Sequence, residues 1–205
     1  MLFVFFTVLL YVGASSAARC CLNNTYSATM IMNVARQPPG AVEPYITDQT
    51  LDLDFDYDRK IQKMVISGYN LLHPEYTFQT TIYNDYKHSK VYTLFNGTCT
   101  MADLAEAQIA PCIPDDFTTN GMPVTIGTGS NTKMLTFYSG VQNGASMTFS
   151  FDEHCTPITF SSMGDLPDGT KFLYQATFAN IGPLRSADAF DLPDACKHAV
   201  AASGN

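Results

Sequence analysis

Asp52-Leu53-Asp54-Phe55-Asp56-Tyr57-Asp58 alternates carboxylates with apolar side chains. In an extended strand, alternate side chains project on one side of the sheet, about 7 Å apart. Asp52, Asp54, Asp56 and Asp58 would then form a ladder of hard oxygen donors, a set that suits Ca²⁺ if neighbouring loops complete the shell. The ladder is not an EF-hand, because Tyr57 stands at the required glycine and Lys63 at the terminal glutamate. A solvated strand face that discourages edge-to-edge pairing is the competing reading. Calcium is therefore the one cofactor to test for, and no organic cofactor motif accompanies it.

The remaining chemistry is sparse. His73, His88, His154 and His198 are dispersed and form no HExxH pattern, which leaves surface histidines as the plain reading. No GxSxG elbow occurs, and Gly127-Thr128-Gly129 lacks the lysine of a phosphate-binding loop. Carboxylate pairs for glycoside hydrolysis meet only in the fold, so a secreted hydrolase ranks last and no enzyme is expected.

Six cysteines carry more information: Cys20, Cys21, Cys99, Cys112, Cys155 and Cys196. All follow an apolar N-terminus, Leu2 to Val12, that runs into Gly13-Ala14-Ser15-Ser16-Ala17-Ala18. An apolar stretch followed by small residues is the pattern of a secretory signal, here expected over 1–18. It is too short to span a bilayer, and the competing reading is a buried N-terminal strand. Thiols beyond such a leader become disulfides rather than nucleophiles, so a secreted, extracellular protein is expected. Sequons at Asn23 and Asn96 fit a glycoprotein on that route. No second apolar stretch of membrane length exists, so the chain is expected not to span a membrane.

The chain's formal net charge of −8 provides no basic footprint for nucleic acid. Residues 19–205 are of a length that one domain can fill.

Period-two alternation must position these groups, and it argues strands almost throughout. Tyr26, Ala28, Met30, Met32 and Val34 share one face of a first strand; Leu51, Leu53, Phe55 and Tyr57 alternate with the acidic ladder. Met147, Phe149 and Phe151 form another such set, as do Phe172, Tyr174, Ala176 and Phe178. Asn96-Gly97 and Asn143-Gly144 mark tight hairpins, and Asp168-Gly169 introduces the Phe172 strand. Short helices are expected at Ala102–Ala107 and Pro193–Ala202. The class is mainly β, a mostly antiparallel domain with one or two short helices.

The apolar inventory is 14 Phe, 11 Tyr and 9 Met with no Trp. Methionine and aromatic rings suit a cavity wall that adapts to flexible apolar ligands, and they equally suit a sheet-on-sheet core.

The cysteine contexts resemble the ependymin family. Asn96-Gly97-Thr98-Cys99-Thr100-Met101-Ala102-Asp103-Leu104 resembles its strand, turn and cysteine segment. His154-Cys155-Thr156-Pro157-Ile158 resembles its Cys-x-Pro segment, and Ile126-Gly127 its central Ile-Gly. Phe172 to Cys196, with Asn180-Ile181-Gly182 and Asp191-Leu192-Pro193-Asp194-Ala195-Cys196, resembles its closing strand and cysteine. Cys20-Cys21 after the leader also fits, so the resemblance covers residues 19–205. Two departures stand out: Leu22-Asn23-Asn24-Thr25-Tyr26 replaces the family's Pro and Trp, and Cys112 lies where many relatives lack a cysteine.

The resemblance implies a secreted glycoprotein, often dimeric, with two curved antiparallel sheets forming an open hydrophobic pocket like that of lipoprotein carriers. It also implies a hydrophobic or lipid-like ligand, calcium, and a place in extracellular matrix or cell adhesion. The expected pocket residues are Met30, Met32, Phe78, Ile82, Met147, Phe149, Phe160, Phe172 and Tyr174. By the same resemblance Cys99 pairs with Cys196, one of Cys20 and Cys21 with Cys155, and the other with Cys112. A hydrophobic carrier is the leading functional expectation; a matrix or adhesion component acting through acidic surfaces is the alternative.

Overall fold

The computed structural model describes residues 19–119, 121–197 and 199–201. The expected signal at 1–18 and His198 lie outside the described residues. The chain forms β1 (Thr25–Gln37), β2 (Tyr45–Asp56), β3 (Ile61–Asn70), β4 (Thr77–Asp85), β5 (Lys90–Phe95) and β6 (Thr98–Asp103). These are followed by β7 (Thr118–Thr119), β8 (Val124–Ile126), β9 (Lys133–Gln142), β10 (Ala145–Phe151), β11 (Pro157–Asp165) and β12 (Lys171–Gly182). Helix α1 (Asp194–Lys197) and β13 (Val200–Ala201) complete the described chain.

The mainly β class follows from the period-two pattern. The strands lie in one open ladder, β13-β6-β5-β4-β3-β2-β1-β12-β11-β10-β9-β7, with β8 also on β9. It consists of two antiparallel meanders, β1 to β6 and β9 to β12, joined where β1 pairs with β12. The two sheets implied by the resemblance are thus one continuous ladder. Every ladder pair is antiparallel except β13 on β6. Tight turns set the register: Asn96 (φ 48°) with Gly97 (φ 77°) and Asn143 (φ 52°) with Gly144 (φ 79°) adopt the paired positive angles that match strand twist.

Two helical expectations are corrected. Ala102 belongs to β6, and the chain from Leu104 to Ala107 forms no helix. This segment is spent on a crossing: Leu104 N–H donates to Ser89 O (2.9 Å), and Gln108 Nε2 reaches Asp56 O (3.2 Å). Near the C-terminus the helix is confined to Asp194–Lys197, because Cys196 is tied to β6 by a disulfide and the chain then joins that strand's edge as β13.

One end of the ladder is stapled. The segment 104–117 passes from β6 across the β2–β3 turn to β9, and Leu22 N–H donates to Pro111 O (2.8 Å) on the way. At this end Cys20 is bonded to Cys155 and Cys21 to Cys112, while Cys99, just after the β5–β6 hairpin at the other end, is bonded to Cys196; the sequence separations are 135, 91 and 97. Closing loops of this length contributes roughly 2–4 kcal/mol per bridge. Phe117 ends the crossing over Gly140, where an added Cβ would lie 2.3 Å from the ring. Only glycine lets the aromatic plug seat against β9.

Cys155 has φ 58°, and the turn that holds it there is organised by Asp152. Its Oδ1 accepts from the His154 and Thr156 amides (3.0 and 2.9 Å), and its Oδ2 from Lys133 Nζ (3.1 Å). Burial works to raise this carboxyl; the Thr156 amide, Lys133 and the His154 amide outweigh it and hold the group below the usual carboxylate range. A folded value below the unfolded one, near 3.9, means the stabilisation is present above about pH 4 and disappears as pH falls through the folded value. Asp152→Asn should therefore cost about 1–2 kcal/mol at neutral pH and converge on the parent protein in strong acid. Urea titrations across pH test this, and a constant offset at every pH would contradict it.

Candidate functional site

Register assigns each expected pocket residue to a face. Met30 lies opposite Leu51 and Phe178, and Met32 opposite Gln49 and Ala176. Leu51 continues to Ile66, Leu53 to Met64 and then Ile82, and Gln49 to Gly68 and then Phe78. On the other meander Ala176 lies opposite Phe160, and Phe160 opposite Phe149; Tyr174 continues through Ser162 to Met147. Phe172 is two residues before Tyr174. Since directly paired residues point the same way, all nine expected pocket residues share one face. Met30 is buried and the other eight are half-buried.

The face has two parts. Met30, Leu51, Leu53, Phe55 and Ala176 form a floor on β1, β2 and β12, with Met32, Met64, Ile66, Phe160 and Phe178 packed against it. The β9–β10 part is covered by Cys20, Ile113 and Phe117, packed with Tyr138, Phe151, Met147 and Phe149. Phe149 and Phe160, with centroids 4.8 Å apart, join the parts. Helix α1 is tied by Cys196 to Cys99, which lies on the opposite face. An open sheet of this many strands coils, and such curvature works to shelter the floor.

At the end of β1 away from the disulfide staple, Arg36 lies on this apolar face opposite Phe172 and Tyr45. Its Nη2 donates to Tyr174 Oη (2.8 Å), and its guanidinium stands 5.6 Å from that ring's centroid. Phe172 stacks on Tyr174 at 4.9 Å. The arrangement puts an exposed cation and a phenol at one end of the apolar face. Sequence reasoning passed over Arg36, although its parity with Met30, Met32 and Val34 places it on their face.

The acidic ladder serves a different purpose. Asp52, Asp54 and Asp56 lie on the opposite face, and Asp54 and Asp56 are buried rather than solvated. Arg185, from the segment after β12, donates to Asp52 Oδ1 (2.8 Å) and Asp54 Oδ1 (3.0 Å) and also to Leu53 O and Ala28 O. Ser27 and Thr29 hydroxyls add donors to Asp54 and Asp52. Asp56 accepts from Arg59 N–H (2.9 Å), and Asp58 from Asn24 Nδ2 (2.8 Å). Each ladder carboxylate thus has a protein donor. Among the described residues no group of three or more His, Cys, Asp or Glu side chains is arranged to hold a metal ion. Its cation is Arg185, some 130 residues away in sequence (131 from Asp54), a distance no local pattern announces.

Asn23 and Asn96 are both exposed, Asn96 at the tip of the β5–β6 hairpin. No described helix is long and apolar enough to cross a membrane.

No family model matches the chain, and no curated protein matches it. Among solved structures, it is similar to a β-barrel-like protein of a domain of unknown function, DUF1849, from Brucella abortus. Identity is 8%, with 81% of this chain and 99% of that chain covered at a TM-score of 0.34. It is also similar to MucB in complex with MucA, at 8% identity over 80% of this chain and 94% of that one, with a TM-score of 0.16.

Arg185→Gln leaves the buried Asp54 carboxylate without its cation and should cost about 2–3 kcal/mol. Adding Asp54→Asn should recover part of that loss. Denaturant midpoints of the single and double variants measure it, and strict additivity would show that the two side chains are not coupled.

Proposed function

We propose that this chain is a secreted, non-enzymatic carrier or receptor for an amphiphile, whose apolar chain lies on the Met30–Phe160 floor with its polar end at Arg36 and Tyr174. The observation that carries the reading is the apolar face: nine methionine, aromatic and isoleucine side chains lie on it, eight of them only half-buried. A protein that needed these residues only as core would cover them with a second layer. Thioether and phenyl groups adjust to a flexible chain at little strain. The ependymin-like spacing of the cysteines leads to the same class of ligand.

Arg36 adds a chemical preference. A guanidinium and a phenol at the end of that face suit a carboxylate or another anionic head better than a neutral one, because charge-assisted hydrogen bonds are the stronger kind. A fatty acid should accordingly bind more tightly than the matched fatty alcohol.

Native mass spectrometry and organic extraction of the purified secreted protein should recover a bound lipid, and a fluorescent fatty-acid probe should be taken up. Arg36→Gln should weaken fatty-acid binding about tenfold while leaving the alcohol nearly unchanged. The reading fails if no lipid is recovered and no probe is taken up.

A further inference from the structure

A cavity of about 500 Å³ lies on the ladder's stapled end, between the β2–β3 and β4–β5 turns. Asp58, Arg59, Lys60, Ile61, Asp85, Lys87 and His88 line it. The two turns are joined, since Tyr86 N–H donates to Lys60 O (3.0 Å). Each turn is also fixed internally: Lys60 has φ 56°, its N–H donates to Tyr57 O (3.2 Å), and Ser89 has φ 53°.

The charges on its wall are not balanced. Both acids are already engaged: Asp58 accepts from Asn24, and Asp85 accepts from the His88 amide (3.0 Å) and contacts its ring Nδ1 (2.7 Å). The bases are not. Among the described residues, Arg59, Lys60 and Lys87 have no carboxylate oxygen within the 4.0 Å of an ion pair. Arg59 is steered instead by stacking over Phe190, 5.3 Å from its centroid, a contact that directs the guanidinium without neutralising it. The pairing of His88 Nδ1 with Asp85 leaves Nε2 as the ring nitrogen open to a ligand. All four basic side chains are exposed. In a chain with 11 Lys and Arg against 19 Asp and Glu, three unpaired cations on one cavity are a local reversal of the protein's charge.

We propose that this cavity binds a tetrahedral oxyanion, the phosphate or sulfate group of a monoester. Three cations that line one cavity from two hydrogen-bonded turns match an anion with three or four acceptor oxygens better than a planar carboxylate, and the cavity has room for the sugar or peptide carrying the group. The site is separate from the apolar floor and independent of the carrier reading.

Calorimetric titration of the full secreted protein with inorganic phosphate, inorganic sulfate and acetate tests the class. Phosphate or sulfate should bind saturably in the millimolar range, weaken as sodium chloride is added, and exceed acetate. Glucose 6-phosphate, phosphoserine and glucosamine 6-sulfate, compared in parallel, then distinguish the source of the anion. Lys60→Gln with Lys87→Gln should weaken binding about tenfold or more, whereas Lys60→Arg with Lys87→Arg should retain it. Lys171→Gln, at the opposite end of the ladder, should leave it unchanged, and near-UV dichroism checks that each variant is folded. Absence of saturable oxyanion binding overturns the proposal. So does binding that survives the double glutamine variant, or that falls equally with Lys171→Gln.

Discussion

The pairing of β1 with β12 is the contact on which the rest of the molecule depends. Each meander can form from neighbouring residues through short turns, but this seam joins segments nearly 150 residues apart, such as Met30 and Phe178. Long-range pairing of this kind is slow to find and costs loop entropy before it returns contacts. Without the seam, Met30 and Leu51 would not meet Ala176, and the apolar floor would be two half-floors exposed to water. Arg185 secures it directly: it leaves the end of β12 and reaches Asp52 and Asp54 across β1 and β2.

An open ladder leaves the problem of hiding two faces with little helix. The chain handles them differently. The acidic face is strapped by the segment after β12, with an ion-paired Arg185 and buried Ala189 and Phe190, and by the Cys99–Cys196 bridge that pulls α1 onto β6. Fixed polar geometry suits that face, because a buried carboxylate tolerates no slack. Among the described residues the apolar face is closed toward β9 and β10, by Cys20, Ile113 and Phe117. The remainder relies on the sheet's coiling and on side chains that can shift.

Much of this was legible in the sequence, because strands write their faces into it with a period of two. The parity of Met30 and Met32, of Phe78 and Ile82, and of Phe172 and Tyr174 sets their common face once register is known, and the Asn-Gly turns fix much of that register. The acidic ladder was equally legible as a face but not as a function. Its partner is one arginine in an irregular segment, and only folding brings them together. The expected helix at Ala102–Ala107 failed for a similar reason: its alanine and leucine content favours a helix locally, whereas the crossing to β9 demands an extended path tied to Asp56 and Ile61 by Gln108.

The split between a rigid face and an adaptable one also explains where basic charge is found. Arginine that must hold the fold is paired, as at Arg185, and the carboxylates it meets are consumed in doing so. Among the described residues, Arg36 at one end of the ladder, and Arg59, Lys60 and Lys87 at the other, stand without carboxylate partners beside an apolar face or a cavity; Lys171 is likewise unpaired, and Lys63 within β3 is set over the Tyr83 ring instead. In an acidic protein, an unpaired cation beside a floor or a cavity is the group with free capacity for an external anion. Those two ends, rather than the Asp52–Asp58 ladder that dominates the sequence, are where this structure has electrostatic capacity left to recognise something else.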